Sequence, residues 1–472
     1  MTARKFGLVL GPLAFALTAI TQPPSGMEPA AWLVAGLVVW VAAWWMTEAI
    51  PLTATAFLPF VVLPLAGVMT ARETASAYYA PILFLLLGGA IVALAIERTG
   101  LHRRLSLAIL NAIGSSGGET RLLLAFMISA ALLSMLISNT STALIMMPMA
   151  LAVLTAGGAE RVAETEGLNG ALPMGIAFAA SIGGLGTIVG SPTNGIAVAL
   201  LDDMIGLAIS FADWMLFGLP IVIVGIPLAA IIIARVQNVA AHPFDVSAAR
   251  TAIDDSAPWS SAEKRLVPII VVTFLLWMTQ RWVAPYLPEN SWTDGTIAII
   301  AALSLFLLPD GTGRPMLVWQ EADRAPWGVI MMFGGGLALA AGMQASGLAE
   351  WLGNALLPLE VFPLFLVALA IVAMVVLVTE FASNVATASA IIPVVASLAA
   401  AMGLGEDAIL LAMPAALAAS WGFILPAGTG PNAIAWSTGR LRIERLVKAG
   451  LILDLIGIVL IVTMVWAISK IA

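Results

Sequence analysis

Two short polar triplets inside apolar runs hold the chemistry this chain is equipped to do. Ser138-Asn139-Thr140 interrupts SMLISNTSTALIMMP at 134–148, and Ser383-Asn384-Val385 interrupts TEFASNVATASAIIP at 379–393. The second run repeats the first 245 residues later, so that Ser-Asn, Thr142, Ala143 and Pro148 recur as Ser383-Asn384, Thr387, Ala388 and Pro393. Short polar side chains compete for backbone hydrogen bonds and favour helix caps over helix interiors. Each run therefore predicts two half-helices meeting at a polar tip. Such a tip presents N–H groups from its second half-helix, which suit an anion, and carbonyls from its first, which suit a cation. Asn139 and Asn384 can serve both, because an amide carries a carbonyl oxygen and N–H donors. One triplet alone could simply pack helices together in lipid. Its recurrence in matched surroundings favours a transporter's binding site, which interrupted segments in two halves of a chain mark.

The elements that must hold these tips are membrane helices. The 472 residues are 61% hydrophobic and 10% charged, with a mean hydropathy of +1.04. Stretches of about 20 apolar residues, the length a spanning helix needs, follow one another along the chain. They lack the strict alternation of a transmembrane barrel strand. The class is an all-α polytopic membrane protein. Cysteine is absent, which excludes disulfides and thiolate metal sites. His102 and His242 fall in polar connecting stretches, and no His or acidic cluster at depth suggests a metalloenzyme. The net charge of −7 comes mainly from connecting segments and says little about a substrate. The N-terminal MTARKFGLVLG shows no small-residue cleavage pattern and reads as a retained first helix.

Hydropathy accommodates eleven spanning segments and two hairpins. Segments 1 to 4 fall at about 6–21, 30–46, 52–70 and 81–97. An amphipathic stretch follows at 101–113, and hairpin one spans about 120–156. Segment 5, about 170–200, is expected to break at Gly190-Ser191-Pro192-Thr193-Asn194, and segment 6 covers about 211–234. Beyond a polar loop, segments 7, 8 and 9 fall near 266–286, 293–309 and 326–345. Hairpin two spans about 361–402, segment 10 about 408–436 with an expected break at 428–432, and segment 11 about 449–469.

The repeat extends beyond the hairpins. Gly88-Gly89 and Thr99-Gly100-Leu101 correspond to Gly335-Gly336 and Ser346-Gly347-Leu348, and GSPTN at 190–194 corresponds to GTGPN at 428–432. An odd number of spans in each half makes the halves oppositely oriented, an inverted repeat. Basic residues give an independent reading, since cytoplasmic loops carry the Lys/Arg excess. With the N-terminus inside, 17 of the 20 basic residues fall on the inner side, leaving Arg72, Arg281 and Lys470 outside. The expected topology has a cytoplasmic N-terminus and an extracytoplasmic C-terminus, with hairpin one opening inward and hairpin two outward.

No Lys or Arg is expected at the depth of the tips. An anion there would rely on helix N-termini, amide and hydroxyl donors, and bound cations. The breaks add free carbonyls, and irregular backbone at membrane depth is tolerated where buried or lining a cavity. Three acidic residues lie within apolar segments: Glu48, Glu380 and Asp454. Glu48 and Asp454 are expected near interfaces in structural pairings. Glu380 is either a hairpin-stabilising partner or a proton-coupling group. The first is preferred, because a bare carboxylate would repel a neighbouring anion.

The chain resembles the divalent-anion/sodium symporter family of dicarboxylate, citrate and sulfate carriers. The resemblance rests on Trp44-Trp45-Met46-Thr47-Glu48-Ala49-Ile50-Pro51-Leu52, on Ser-Asn-Thr at 138–140 and on ASWGFILPAGTGPNAIA at 419–435, in that order. It implies a homodimer in which a transport domain moves as an elevator against a scaffold. The division expected is scaffold helices at 1–118, a first transport unit at 119–236, a cytoplasmic loop at 237–265, scaffold helices at 266–358 and a second transport unit at 359–472. By motif, Ser134, Ser138, Asn139 and Gly190 would form one sodium site, and Thr379, Ala382, Asn384 and Gly428 the other. Substrate would meet Ser138, Asn139, Thr140, Ser383, Asn384 and Val385, with Thr429 nearby. Two positions depart from the family pattern: Val385 stands where many members have Thr, and Gly430 where Pro is usual.

The function these readings imply is sodium-coupled import of a small di- or multivalent anion across the cell membrane, with a C4 dicarboxylate first and citrate or sulfate in reserve. Sodium is the coupling ion, and no cofactor or nucleic-acid partner is expected. The alternative is a sodium-independent anion exchanger of the same fold; a membrane enzyme is disfavoured.

Overall fold

The computed structural model describes residues 3–114, 118–157, 165–242, 244–245 and 258–471. Much of the loop expected at 237–265 lies outside these residues, as do Arg161 and Arg250, which were counted toward the inner side. The described residues form 22 α-helices and short 3-10 turns, with one isolated bridge between Pro309 and Pro315. Among the described residues, nine helices are long and apolar enough to cross a membrane.

The first group comprises α1 (Ala3–Ile20), α2 (Pro29–Thr47), α3 (Leu52–Thr55), α4 (Leu58–Leu65), α5 (Ala71–Ala77), α6 (Ile82–Thr99) and α7 (Leu101–Gly114). Hairpin one is α8 (Glu119–Ser134) and α9 (Asn139–Ala156), followed by α10 (Leu168–Gly184), α11 (Pro192–Ile205) and α12 (Phe211–Val236). The middle of the chain supplies α13 (Ser261–Val283), α14 (Asp294–Leu307), α15 (Trp319–Ala322), α16 (Trp327–Ala345) and α17 (Leu348–Leu356). Hairpin two is α18 (Leu364–Thr379) and α19 (Asn384–Ala401), followed by α20 (Ile409–Ala418), α21 (Gly430–Ser437) and α22 (Ile443–Ser469). Local chemistry starts several of these. Thr70 with Glu73, Ser210 with Asp213 and Ser260 with Glu263 form capping boxes at α5, α12 and α13, each satisfying two otherwise unpaired N–H groups.

Segment 3 departs from the expected single span over 52–70. It is broken into α3 and α4, which end at Gly67 in the left-handed region. Pro59 and Pro64 cannot donate backbone hydrogen bonds, and the Tyr78 hydroxyl donates to Ala56 O at the break. Segments 5 and 10 break earlier than expected, over 185–191 and 419–429 rather than within 190–194 and 428–432. Pro192 and Pro431 sit in the first turns of α11 and α21, where the missing N–H costs nothing. These motifs therefore begin the second helix rather than unwind it.

The packing crosses between the two halves of the chain. Within each half, the first hairpin helix lies on the first helix of the broken segment, α8 on α10 and α18 on α20. Between halves, α11 packs on α19 and α21 packs on α9. Phe178 of α10 meets Phe423 at a ring separation of 4.8 Å, and Phe423 stands edge-on to the fully buried Trp421. A second body is formed by α1 on α2, α6 on α14, and α16 on α3, α4 and α5.

At one end of α6, Arg98 binds Asp310 at 2.7 Å and Glu321 at 3.4 Å, and Arg314 binds Glu321 at 2.7 Å. Hydrogen bonds from Arg98 and from Thr312 hold the Asp310 carboxyl well below the usual carboxylate range. These pairs tie the segment before α16 to α6.

Trp421 fixes α22 at a glycine. A Cβ at Gly457 would overlap the indole, which donates to Leu453 O at 3.3 Å. A Cβ at Gly118 would meet nothing within 4 Å, at an ordinary φ of −74°. Gly457→Leu is expected to destabilise the protein by about 1–3 kcal/mol through overpacking, and Gly118→Ala to be neutral. Thermal unfolding of the two purified variants in detergent compares them; equal midpoints would show that the α22 contact is not tight.

Candidate functional site

Each hairpin turns on a capped tip. Helix α8 ends at Ser134 and α9 starts at Asn139, with Ser138 Oγ accepting from Ser141 N at 3.2 Å. Helix α18 ends at Thr379 and α19 starts at Asn384, with Ser383 Oγ accepting from Ala386 N at 3.2 Å. Both serines have the extended backbone of an N-cap, as their side chains favour. The expected tips are therefore the helix starts themselves.

The unwound stretches are splinted by side chains from elsewhere. Asn194 Nδ2 donates to Gly184 O and Thr187 O, both at 2.8 Å, and Asn432 Nδ2 donates to Leu425 O at 3.1 Å. Thr187 Oγ1 donates to Met135 O at 2.6 Å, joining the first break to the first tip. The Glu380 carboxylate accepts from Ile424 N and Leu425 N, both at 2.9 Å, joining the second break to the second tip. These two bonds are what a hairpin-stabilising partner would make. Asp454 departs from its expected place near an interface: it is buried beside Glu380. Glu48 is an exposed C-cap of α2 with a left-handed backbone, not half of an ion pair among the described residues.

Behind each tip lies a cluster of oxygens. Ser134 Oγ is 2.6 Å from Ala180 O and 2.7 Å from the Asn139 amide. With its nitrogen toward the cluster, the Asn139 amide donates to Ser134 Oγ at 2.7 Å and to Gly190 O and Ala180 O, both at 3.1 Å. Gly190 has no room for a side chain, since a Cβ would lie 2.7 Å from Gly184 O and 2.8 Å from Ser134 O. The second cluster repeats the pattern: Thr379 Oγ1 is 2.9 Å from Asn384 Oδ1 and 2.8 Å from Ala419 O. Carbonyl, hydroxyl and amide oxygens gathered in this way suit a small hard cation. The residues present therefore fit sodium. Ala180 and Ala419 contribute carbonyls that residue type could not reveal. Ser138, Ala382 and Gly428 lie beside these clusters, with no oxygen of theirs among the contacts above.

The two tips share one cavity of about 480 Å³. Ser138, Asn139, Thr140, Ser383, Asn384, Val385 and Thr429 all line it, as does Gly428. Ser134, Gly190, Thr379 and Ala382 do not reach it. Thr140 reaches across to the second break, where a Cβ at Gly430 would overlap its hydroxyl. The lining adds Ser191, whose backbone cap begins α11 and which sequence reasoning passed over. Four helix N-caps then converge on one space: Ser138, Ser191, Ser383 and Thr429. Each helix start is equivalent to about half a positive charge, so four offer about two.

The sodium:sulfate symporter transmembrane region, as a family, matches residues 4–471. This chain belongs to that family. It is 37% identical to the sodium-dependent dicarboxylate transporter SdcS of Staphylococcus saprophyticus, over 98% of this chain and 90% of that one. The SdcS of Staphylococcus aureus strain MRSA252 is also 37% identical, over 100% of this chain and 92% of that one. The crystal structure of the Alcanivorax borkumensis YdaH transporter covers 98% of both chains at a TM-score of 0.63 and 17% identity, a likeness of fold. Like other members of the symporter family, the chain is a multi-pass membrane protein.

The two N–H groups held by Glu380 give a test of its role. Glu380→Ala would leave both unpaired in a buried place, at about 1–3 kcal/mol each. The variant is expected to unfold at markedly lower temperature, while Glu380→Gln, keeping one acceptor, falls between it and the parent. Unchanged stability with an altered pH profile of transport would instead assign Glu380 to proton coupling.

Proposed function

We propose that the chain is a sodium-coupled symporter that imports a small dianion, a C4 dicarboxylate such as succinate, malate or fumarate first. The observation that carries this reading is the single cavity shared by two tips, each with an oxygen cluster behind it. The sodium-dependent dicarboxylate transport in the names of the relatives points the same way. About two units of positive charge from four helix starts match a dicarboxylate. No lysine or arginine lies among the tips, and cations bound behind them would add charge that is present only with sodium.

Coupling runs through the two asparagines. Without a cation, the nitrogen of Asn139 faces the cluster and donates to Ser134 Oγ, Gly190 O and Ala180 O, while Oδ1 meets donors on its other side. A cation in the cluster would require the amide to turn over, with Oδ1 as a ligand and Nδ2 turned away from the cluster. Occupation of the cation cluster thus decides which end of the amide the substrate meets.

The alternating-access step in this reading is an elevator. The hairpins and broken segments, with α12 and α22, form the transport domain, drawn from 119–236 and 359–472. Helices at 1–118 and 266–358 form the scaffold and the homodimer interface that the family resemblance implies. The eleven-span inverted repeat, with a cytoplasmic N-terminus and an extracytoplasmic C-terminus, rests on the distribution of Lys and Arg. Citrate and sulfate remain the reserve substrates.

Uptake of labelled succinate, citrate and sulfate into proteoliposomes, with and without a sodium gradient, tests the reading. Sodium-driven succinate uptake is expected; gradient-independent exchange would establish the exchanger in its place. Asn139→Ala and Asn384→Ala are each expected to abolish coupled uptake while leaving a folded protein. Near-normal sodium-driven transport by either would dissociate the tips from the site.

Val385 lines the cavity where a hydroxyl would add a donor. Val385→Thr is expected to raise dicarboxylate affinity relative to sulfate by a few-fold to about tenfold, as one added hydrogen bond of about 0.5–1.5 kcal/mol would. The sodium dependence should keep its shape. Competition of unlabelled anions against labelled succinate reads both; an unchanged anion ranking would show that position 385 does not face the substrate.

A further inference from the structure

The cavity has a charged mouth that the binding reading leaves unused. Among the described residues lining it, only Glu97 and Arg324 carry charge. They pair with one another, Arg324 Nη2 to Glu97 Oε1, at 2.8 Å. Arg324 is 63% exposed and Glu97 36%, and Glu97 lies in the last turn of α6, so the pair stands where the cavity meets the end of that helix.

The position of Arg324 is built rather than incidental. Glu97 and Arg98 occupy the last turn of α6, and Arg98 holds Asp310 and Glu321 on the segment that leads to Arg324. Two residues later Pro326 caps α16. The guanidinium is thus carried between two anchored points, α6 and the start of α16, whose other lining residues (Gly89, Ala90, Val329, Ile330 and Phe333 among them) are apolar. A dianion crossing this passage loses water against apolar walls and meets one cation, which is already shared with one carboxylate.

We propose that Arg324 is a positioning residue for the transported dianion at the mouth of the cavity, and that Glu97 competes with the substrate for it. Arginine presents a planar fork that takes a carboxylate in two parallel hydrogen bonds. On the cytoplasmic side, where the Lys/Arg distribution places Arg324, a dicarboxylate leaving the tips, or one entering from that side, displaces Glu97 from Arg324 and is held at the mouth. The return of Glu97 releases it, toward the tips or to solvent. An unopposed arginine would retain the dianion, whereas an unopposed glutamate would repel it.

This inference rests on the dianion reading of the cavity, and its test separates the two. Succinate KM is measured from each face in right-side-out and inside-out vesicles containing the unaltered protein, Arg324→Gln, Arg324→Lys or Glu97→Gln. For substrate presented on the Arg324 face, Arg324→Gln is expected to raise KM about tenfold and to abolish its rise with ionic strength, the mark of a steering charge. Arg324→Lys should keep that salt dependence but only part of the affinity. Glu97→Gln should lower KM on this face a few-fold and lower the maximal rate as release slows. KM on the opposite face and the sodium dependence should stay as they were in every variant. Opposed KM shifts from the two halves of one ion pair are what a merely structural bridge would not produce. Equal shifts in the same direction from Arg324→Gln and Glu97→Gln, or no shift in either, would overturn the proposal while sodium-driven uptake by the unaltered protein still upheld the function. If the unaltered protein prefers another anion, the same opposed shifts are expected with that anion, because the mouth acts on charge. Absence of any sodium-driven anion uptake by the unaltered protein would overturn both.

Discussion

Backbone polarity in an apolar setting is the constraint on which the rest of this structure depends. A helix interrupted at membrane depth leaves N–H and C=O groups that lipid cannot satisfy. This chain interrupts its helices at two tips and two unwound stretches, and each interruption is given specific partners. Asn194 and Asn432 hold carbonyls of the unwound stretches, Thr187 holds the carbonyl of Met135, and Glu380 takes two N–H groups at once. Beside the tips, carbonyl, hydroxyl and amide oxygens gather around Ser134 with Asn139 and around Thr379 with Asn384. In the proposed reading, these are the places that take ions.

In the proposed reading, the same economy lets a dianion be held without a lysine or arginine at the tips. A guanidinium fixed at the tips would bind the anion whether or not sodium were present, and coupling would be lost. Helix starts supply a diffuse positive potential that cannot leave, and the cation clusters supply a further charge only when filled. Affinity for the anion is thereby made conditional on the cation, which is the thermodynamic meaning of coupling between two sites. Keeping the one arginine of the cavity at its mouth, paired to Glu97, is consistent with this division.

The crossed packing of α11 on α19 and of α21 on α9 gives the two halves a shared stake in one cavity. Neither hairpin completes the site alone, because Thr140 of the first tip reaches Gly430 in the second break. Phe178, Phe423 and Trp421 bury the contact between halves, and Gly457 lets α22 close against it. The proposed elevator would move this body against the helices around α6 and α16.

Much of this was open to reading in the residues alone. Long apolar runs, their caps and their prolines are local features, so the helices, the interruptions at 135–138 and 380–383 and the existence of the two breaks followed from sequence. The repeated Ser-Asn pairs marked the tips for the same reason: cap chemistry depends on neighbours within a turn. Where the breaks begin was misplaced, because proline and the polar caps start the second helix instead of ending the first. Segment 3 was read as whole because its break is stabilised from outside, by the hydroxyl of Tyr78. Tertiary structure alone decided which groups meet across 40 or more residues: Glu380 with the N–H groups of 424 and 425, Ser134 with Ala180 O, Thr379 with Ala419 O, and Arg324 with Glu97. Backbone carbonyls carry no residue signature, and an ion pair between distant segments depends on how helices pack. Sequence by itself therefore determined the elements and their polar interruptions, and the packing decided which of those interruptions became a site.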